Sequence, residues 1–208
     1  MLDTLLAMDI WVIASFMGAG VVLNLTPGAD VIFTTACGIK GGWRAGVAAA
    51  VGITLGSLVH ISLAVVGVSA AIIALPHGLD VIRYIGAAYL AYLAVRAWHA
   101  KPDDQTDLKA TESLKSAISK GALTNILNPK VGLFILAFLP QFTDPSIGPV
   151  WQQLLFLGLL FSTTGFFING LYGVISGLSR SALQARLSIL NKISAVLFGG
   201  LAARLVLT

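Results

Sequence analysis

The chain has 208 residues, of which 57% are hydrophobic and only 11% charged. A soluble domain carries about 25% charged residues, so this chain has too few polar groups to cover a water-facing surface; its mean hydropathy of +0.89 agrees. The 13 Lys and Arg, net charge +4, are too dispersed for a nucleic-acid-binding face, and one cysteine, Cys37, excludes an internal disulfide framework.

What fits is an all-α integral membrane protein, long enough for about six spans of ~20 apolar residues each. Ile10–Ala29, Ala45–Leu75 and Pro145–Ser179 contain no Asp, Glu, Lys or Arg, and Gly121–Thr143 contains only Lys130. Leu79–Trp98 and Leu187–Leu207 complete the set, with Arg83, Arg96, Lys192 and Arg204 near their ends, where long cations can snorkel to the headgroups. The long runs are apolar on every face, which disfavours a β-barrel. The start, Met1-Leu2-Asp3, lacks the basic residues of a cleavable signal, so the first span is expected to remain in the mature chain.

Lys and Arg set the orientation. Lys40 and Arg44, then Arg96, Lys101, Lys109, Lys115 and Lys120, then Arg180, Arg186 and Lys192 occupy the first, third and fifth connections. The other connections and the termini hold only Arg83 and Arg204, so both termini are expected outside, periplasmic or extracellular. Within the third connection Ala100–Thr106 reads as a charged linker. Leu108, Leu114, Ile118 and Ala122 then predict an amphipathic helix on the inner surface, leading into the fourth span.

Two helix breaks stand at corresponding places in two three-span halves, about 1–100 and 107–208. They are Asn24-Leu25-Thr26-Pro27-Gly28-Ala29-Asp30 in span one and Asn125-Ile126-Leu127-Asn128-Pro129-Lys130 in span four. In each, Asn is followed by a capping residue (Thr26 or Asn128) and then proline, the order expected at the N-cap and first position of a new helix. Three spans per half make the second half enter from the opposite side, giving two inverted three-helix repeats within one transporter domain, 1–208. Paired interruptions of this kind point to a transport site at the midplane.

Such a site has simple chemistry. A helix starting at Pro27 directs free amides and a positive dipole end at the break, favouring a carboxylate. The helix ending near Asn24 leaves orphan carbonyls, favouring an ammonium. A zwitterion satisfies both, although a cation or a small organic acid is also compatible. One break alone reads more plainly as a kink; two matched polar breaks favour a site built from Asn24, Thr26, Pro27, Gly28, Asp30, Asn125, Asn128, Pro129 and Lys130.

Asp30 and Lys130 are formal charges within otherwise apolar runs, and a charge at the bilayer centre costs about 2.5–3.5 kcal/mol on insertion scales. For Asp30 three readings compete: a dipole partner, an ion pair with Lys130, or a substrate or proton site. His60 reads first as a buried histidine bonded to a carbonyl, with a proton relay as the alternative. Asn169 and Tyr172, one turn apart, either line a cavity or join two helices. Thr163 and Thr164 are expected to bond back to their own helix. Gly52-x-x-x-Gly56 and Gly173-x-x-x-Gly177 allow close helix contacts, within one protomer or between two, which leaves a homo-oligomer open. Trp11, Trp98 and Trp151 are placed as interfacial anchors.

Taken together, Thr26-Pro27-Gly28, Gly42-Trp43-Arg44-Ala45-Gly46, Gly52-x-x-x-Gly56, Gly86-Ala87-Ala88-Tyr89-Leu90 and Asn128-Pro129-Lys130 through Phe138-Leu139-Pro140-Gln141-Phe142 resemble the LysE/RhtB family of bacterial amino-acid exporters. The resemblance extends over essentially the whole chain. It implies a multi-pass protein of the bacterial inner membrane that exports amino acids or close derivatives, drawing on the proton motive force. Its partners would be the amino acid and the lipid bilayer, with no cofactor and no nucleic acid. The sequence departs from the family pattern at Ala29, where a second proline usually follows the glycine.

Other functions are weaker fits. Thiol-disulfide carriers need two intramembrane cysteines. Metal exporters call for clustered ligands, whereas the three histidines are scattered. An intramembrane hydrolase would have only His60 with Ser57 or Ser62 to use. A structural scaffold gives no reason for two polar breaks.

Overall fold

The computed structural model describes residues 2–74 and 113–178 continuously, together with scattered residues between 84 and 99 and between 192 and 206. The linker Ala100–Thr106, Leu108 and much of the predicted third and sixth spans lie outside the described residues. Every described element is helical.

A short helix, α1 (Leu2–Leu6), precedes α2 (Ile10–Leu25), whose first turn is capped by Asp9 accepting from the Trp11 amide at 2.8 Å. The helix stops at Thr26, which is extended (φ −65°, ψ 122°), the conformation that a following proline imposes. After it comes α3 (Ala29–Ala74), interrupted at Gly42, where φ is +74° and ψ 176°. Only glycine takes that conformation readily.

Gly42 reverses the chain. A Cβ on Gly38 and one on Gly46 would both collide with Gly173, although eight helical residues span about 12 Å in a straight helix. The arms before and after Gly42 share a buried cluster of Phe33, Cys37, Ala45, Ala49 and Ile53. The first connection, expected around Lys40 and Arg44, is therefore a single-glycine turn between helical arms.

The second half begins with α4 (Leu114–Ile126), followed by Leu127-Asn128 and α5 (Pro129–Leu133). The chain continues as a π-helical stretch, Phe134–Phe138, and a 3₁₀ turn, Leu139–Phe142. Leu114–Ile126 and Pro129–Phe142 meet at 52°. This corrects the surface-helix expectation. Rather than resting on the membrane surface, α4 packs on α3: Cβ atoms on Gly52, Gly56 and Gly121 would strike Ile118 O, Ala122 O and Ala49 O. Its small residues, not its leucines, form the contact face. A second 3₁₀ turn, Pro145–Ile147, leads to α6 (Val150–Leu178).

Both glycine pairs of the sequence are used inside the protomer, since Gly173 meets Gly46 and Gly177 meets Trp43. The main core joins α2, the second arm of α3, Phe134–Phe142 and α6 through Phe16, Leu23, Ile61, Phe134, Phe138 and Phe161. Ala87, Phe198 and Ala202 are buried in the same core. On the outside, Leu55, Val59, Leu63 and Val66 make one exposed apolar stripe of α3, and Leu159, Phe167 and Leu171 one on α6. Contiguous exposed apolar faces of this kind suit lipid rather than water. Ala29–Gly67 and Val150–Leu178 are long and apolar enough to cross a membrane, and the bent pair makes a third crossing if it acts as one span.

Candidate functional site

The two breaks meet in the interior. Asn24, Thr26, Asp30, Asn125, Asn128 and Lys130 are all buried, none more than 8% exposed. At the first break Leu23 O accepts from the Thr26 amide at 3.2 Å, and side chains from the second half add further donors to the last carbonyls of α2. Lys130 Nζ donates to Leu23 O at 3.1 Å and to Thr26 O at 2.9 Å. Tyr172 OH donates to Leu25 O at 2.9 Å. The cation that a helix C-terminus attracts is therefore supplied by the protein itself. Gly28 makes room for it: a Cβ there would lie 3.0 Å from Lys130 Nζ.

Thr26 stands at the end of α2. Its hydroxyl bonds back to Val22 O at 2.6 Å, making it the C-cap of α2. Pro27 stands in the non-helical connection, and the next helix opens with Gly28 O accepting from Ile32 N at 2.9 Å. Asp30 is thus the second helical residue instead of the fourth, still in the first turn where a carboxylate complements the dipole.

The second break follows its pattern closely. Asn128 caps α5 by accepting from the Lys130 amide at 3.0 Å, and Pro129 is the first helical residue. The end of α4 is closed by its own backbone and by His60: Asn125 O accepts from Asn128 N at 2.9 Å and lies 3.0 Å from His60 Nε2. A carbonyl only accepts, so Nε2 carries the proton. Gly132 makes room for this ring, since a Cβ there would lie 2.9 Å from His60 Cε1.

Asp30 joins the two breaks. Its Oδ2 accepts from Asn125 Nδ2 at 3.0 Å. Lys130 lies close enough to interact with it electrostatically, but bonds to carbonyls instead. Asp30 Oδ1, Asn125 Oδ1 and Asn128 Nδ2 are buried without a hydrogen-bond partner; the Asn128 amide approaches the carboxylate without reaching bonding geometry.

Asn24 reaches α6, where its Nδ2 lies 3.4 Å from both Phe161 O and Thr164 Oγ1. The pattern is crosswise. Asn24 of the first half meets Phe161 of the second, while Asn125 of the second meets His60 of the first, and the same spacing separates Asn24 from Asn125 as His60 from Phe161.

Of the remaining candidates, Tyr172 joins helices. Asn169 bonds back to Gly165 O at 2.9 Å, leaving its Oδ1 buried and unpartnered. Thr163 and Thr164 bond to Leu159 O and Phe161 O of their own helix, as expected. The hydrolase candidates do not assemble. Ser57 bonds to Thr54 O and, at 2.6 Å, to Ser162, whereas Ser62 bonds to Leu58 O; neither meets His60. Sequence reasoning missed the Ser57–Ser162 pair and the main-chain acceptors of Lys130. Gly28 and Gly132, each beside a break, were the available signals.

A pocket of about 210 Å³ opens elsewhere, lined by residues including Met8, Asp9, Gln141, Phe142 and Gln153. No break residue lines it; along the chain, Phe134 and Phe138 stand between Lys130 and the pocket-lining Phe142, in tilted and edge-on ring contacts. Among the described residues no group of three or more His, Cys, Asp or Glu is placed to hold a metal ion.

The profile of the LysE type translocator family matches residues 21–208. The chain belongs to the LysE type translocators. As a member of a translocator family it is a transporter and not an enzyme. Similar proteins include an uncharacterized membrane protein of Vibrio cholerae, 33% identical over 73% of this chain and 74% of that one. A homoserine/homoserine lactone efflux protein of Salmonella typhimurium is 31% identical over 70% of each chain. A leucine efflux protein of Klebsiella pneumoniae is 30% identical over 92% of each. No solved structure matches the chain.

Proposed function

We propose that this LysE type translocator exports amino acids or close derivatives across the bacterial inner membrane, driven by the proton motive force. Six spans form two inverted three-helix repeats in a single transporter domain, with spans one and four broken and both termini outside. The observation that carries the reading is the meeting of the two breaks. Carbonyl ends, an ammonium, a carboxylate and unpaired amide groups are gathered in one buried place. Discontinuous helices facing one another near the midplane are the usual way transporters bind zwitterions and ions. The crosswise contacts of Asn24 and Asn125 are those expected of halves related by a pseudo-two-fold axis. Efflux proteins for leucine and for homoserine among the relatives supply the substrate class.

The test is efflux from proteoliposomes preloaded with a panel of amino acids, run beside divalent cations, with and without an imposed proton gradient. Gradient-dependent release of one or more amino acids is expected. Release of metal cations alone would overturn the reading. Reporter fusions after Lys109 and after Thr208 test the topology, with the first expected inside and the second outside.

A further inference from the structure

We propose that the C-terminal end of α2 is a primary-ammonium site, closed in this state by Lys130, and that the substrate amine takes it when Lys130 moves to Asp30. The inference rests on the export reading for the identity of the amine, but the site itself does not.

Three observations carry it. The Lys130 ammonium is bound as a ligand would be, by two main-chain carbonyls, Leu23 O and Thr26 O, at 3.1 and 2.9 Å. Such acceptors recognise any primary ammonium, and they belong to a different helix and a different half of the chain. Gly28 lines the place where the ammonium sits, and a Cβ would intrude on Nζ and Cε at 3.0 and 3.2 Å. Finally, the natural partner of a buried lysine lies close by and is left waiting. Asp30 Oδ1 is buried and accepts nothing, although the Lys130 ammonium is within electrostatic reach.

A buried carboxylate oxygen without a donor is unfavourable, and so is a helix end without one. With a single ammonium, only one of the two can be satisfied. With two ammonium groups, both can. A substrate amine arriving at Leu23 and Thr26 therefore releases Lys130 to Asp30, and its departure draws Lys130 back. Lys130 thus behaves as a tethered competitor: it fills the empty carrier and provides the second stable arrangement that a switching element requires.

The test uses the full-length purified protein and methylammonium as probe. Lys130→Ala opens the site, so methylammonium is expected to raise its unfolding midpoint saturably, by about 4 °C at ten times the dissociation constant. Tetramethylammonium and sodium at equal ionic strength should not do so, and the wild type, in which the ligand must first displace Lys130, should need more methylammonium for the same shift. Lack of response, or an equal response to tetramethylammonium, overturns the proposal. A second arm serves if Lys130→Ala does not fold. Asp30→Asn removes the alternative berth, and in vesicles where the wild type shows amino-acid efflux it should slow that efflux about tenfold or more without lowering the unfolding midpoint. Wild-type rates in Asp30→Asn would overturn it as well. Methylammonium stabilisation of Lys130→Ala in a protein that releases no amino acid would leave the ammonium site standing and remove the export reading. Efflux without stabilisation would do the reverse.

Discussion

The two breaks look alike in sequence and are finished differently. At the second, Asn128 caps, Pro129 opens the helix, and the end of α4 is closed by its own backbone with one added donor from His60. At the first, Thr26 turns back to Val22, Pro27 stays in the connection, and the carbonyls of Leu23, Leu25 and Thr26 take donors from the other half of the chain. Both ends keep a backbone bond of their own, but the first takes three bonds from the other half and the second takes one. A helix end that takes a borrowed ammonium is one at which a ligand can compete, so under the proposal above the first break would be the binding end and the second the support.

The sharpest way to break this comparison is Lys130→Met, which deprives two buried carbonyls of a charged donor. A loss of about 3 kcal/mol is expected, read as a lower denaturant midpoint in detergent; an unchanged midpoint would make the two breaks equivalent. Next comes Gly28→Val, which pushes a side chain into the space of Lys130 Nζ and should cost about 2 kcal/mol. Gly28→Val combined with Lys130→Met should then cost less than the sum of the two, a coupling measured by a double-mutant cycle. His60→Phe removes one donor from Asn125 O but leaves the Asn128 amide in place, so about 1 kcal/mol is expected in the same unfolding assay. A cost equal to that of Lys130→Met would show the second break to be just as dependent. Smallest is Pro129→Ala, at about 0.5 kcal/mol or less, because a first helical position needs no donor and tolerates alanine.

Much of this was legible in the sequence. Charge-free runs located long apolar helices, two of them long enough to cross a membrane, and proline with its neighbours located both breaks, because these signals are local. The first connection was placed correctly at Lys40 and Arg44, but nothing in the residue types says that one glycine, Gly42, makes it. The placement of α4 was misread because the spacing of Leu108, Leu114, Ile118 and Ala122 suggested a surface helix, whereas its buried residues are Ala117, Gly121 and Asn125. The partners of Lys130 were illegible for a deeper reason. They are main-chain carbonyls, which every residue possesses, so only the fold reveals which of them are left free.

The glycine contacts set a rule for how such a chain can change over generations. Gly52 lies against Ile118, Gly56 against Ala122, Gly46 against Gly173, and Gly177 against Trp43, so each seam has one side in each half of the chain. At these seams a single added methyl meets backbone instead of a yielding side chain. A larger residue in one half is therefore acceptable only with a matching retreat in the other. The halves cannot drift separately or be exchanged one at a time with those of a relative; they are inherited as a fitted pair.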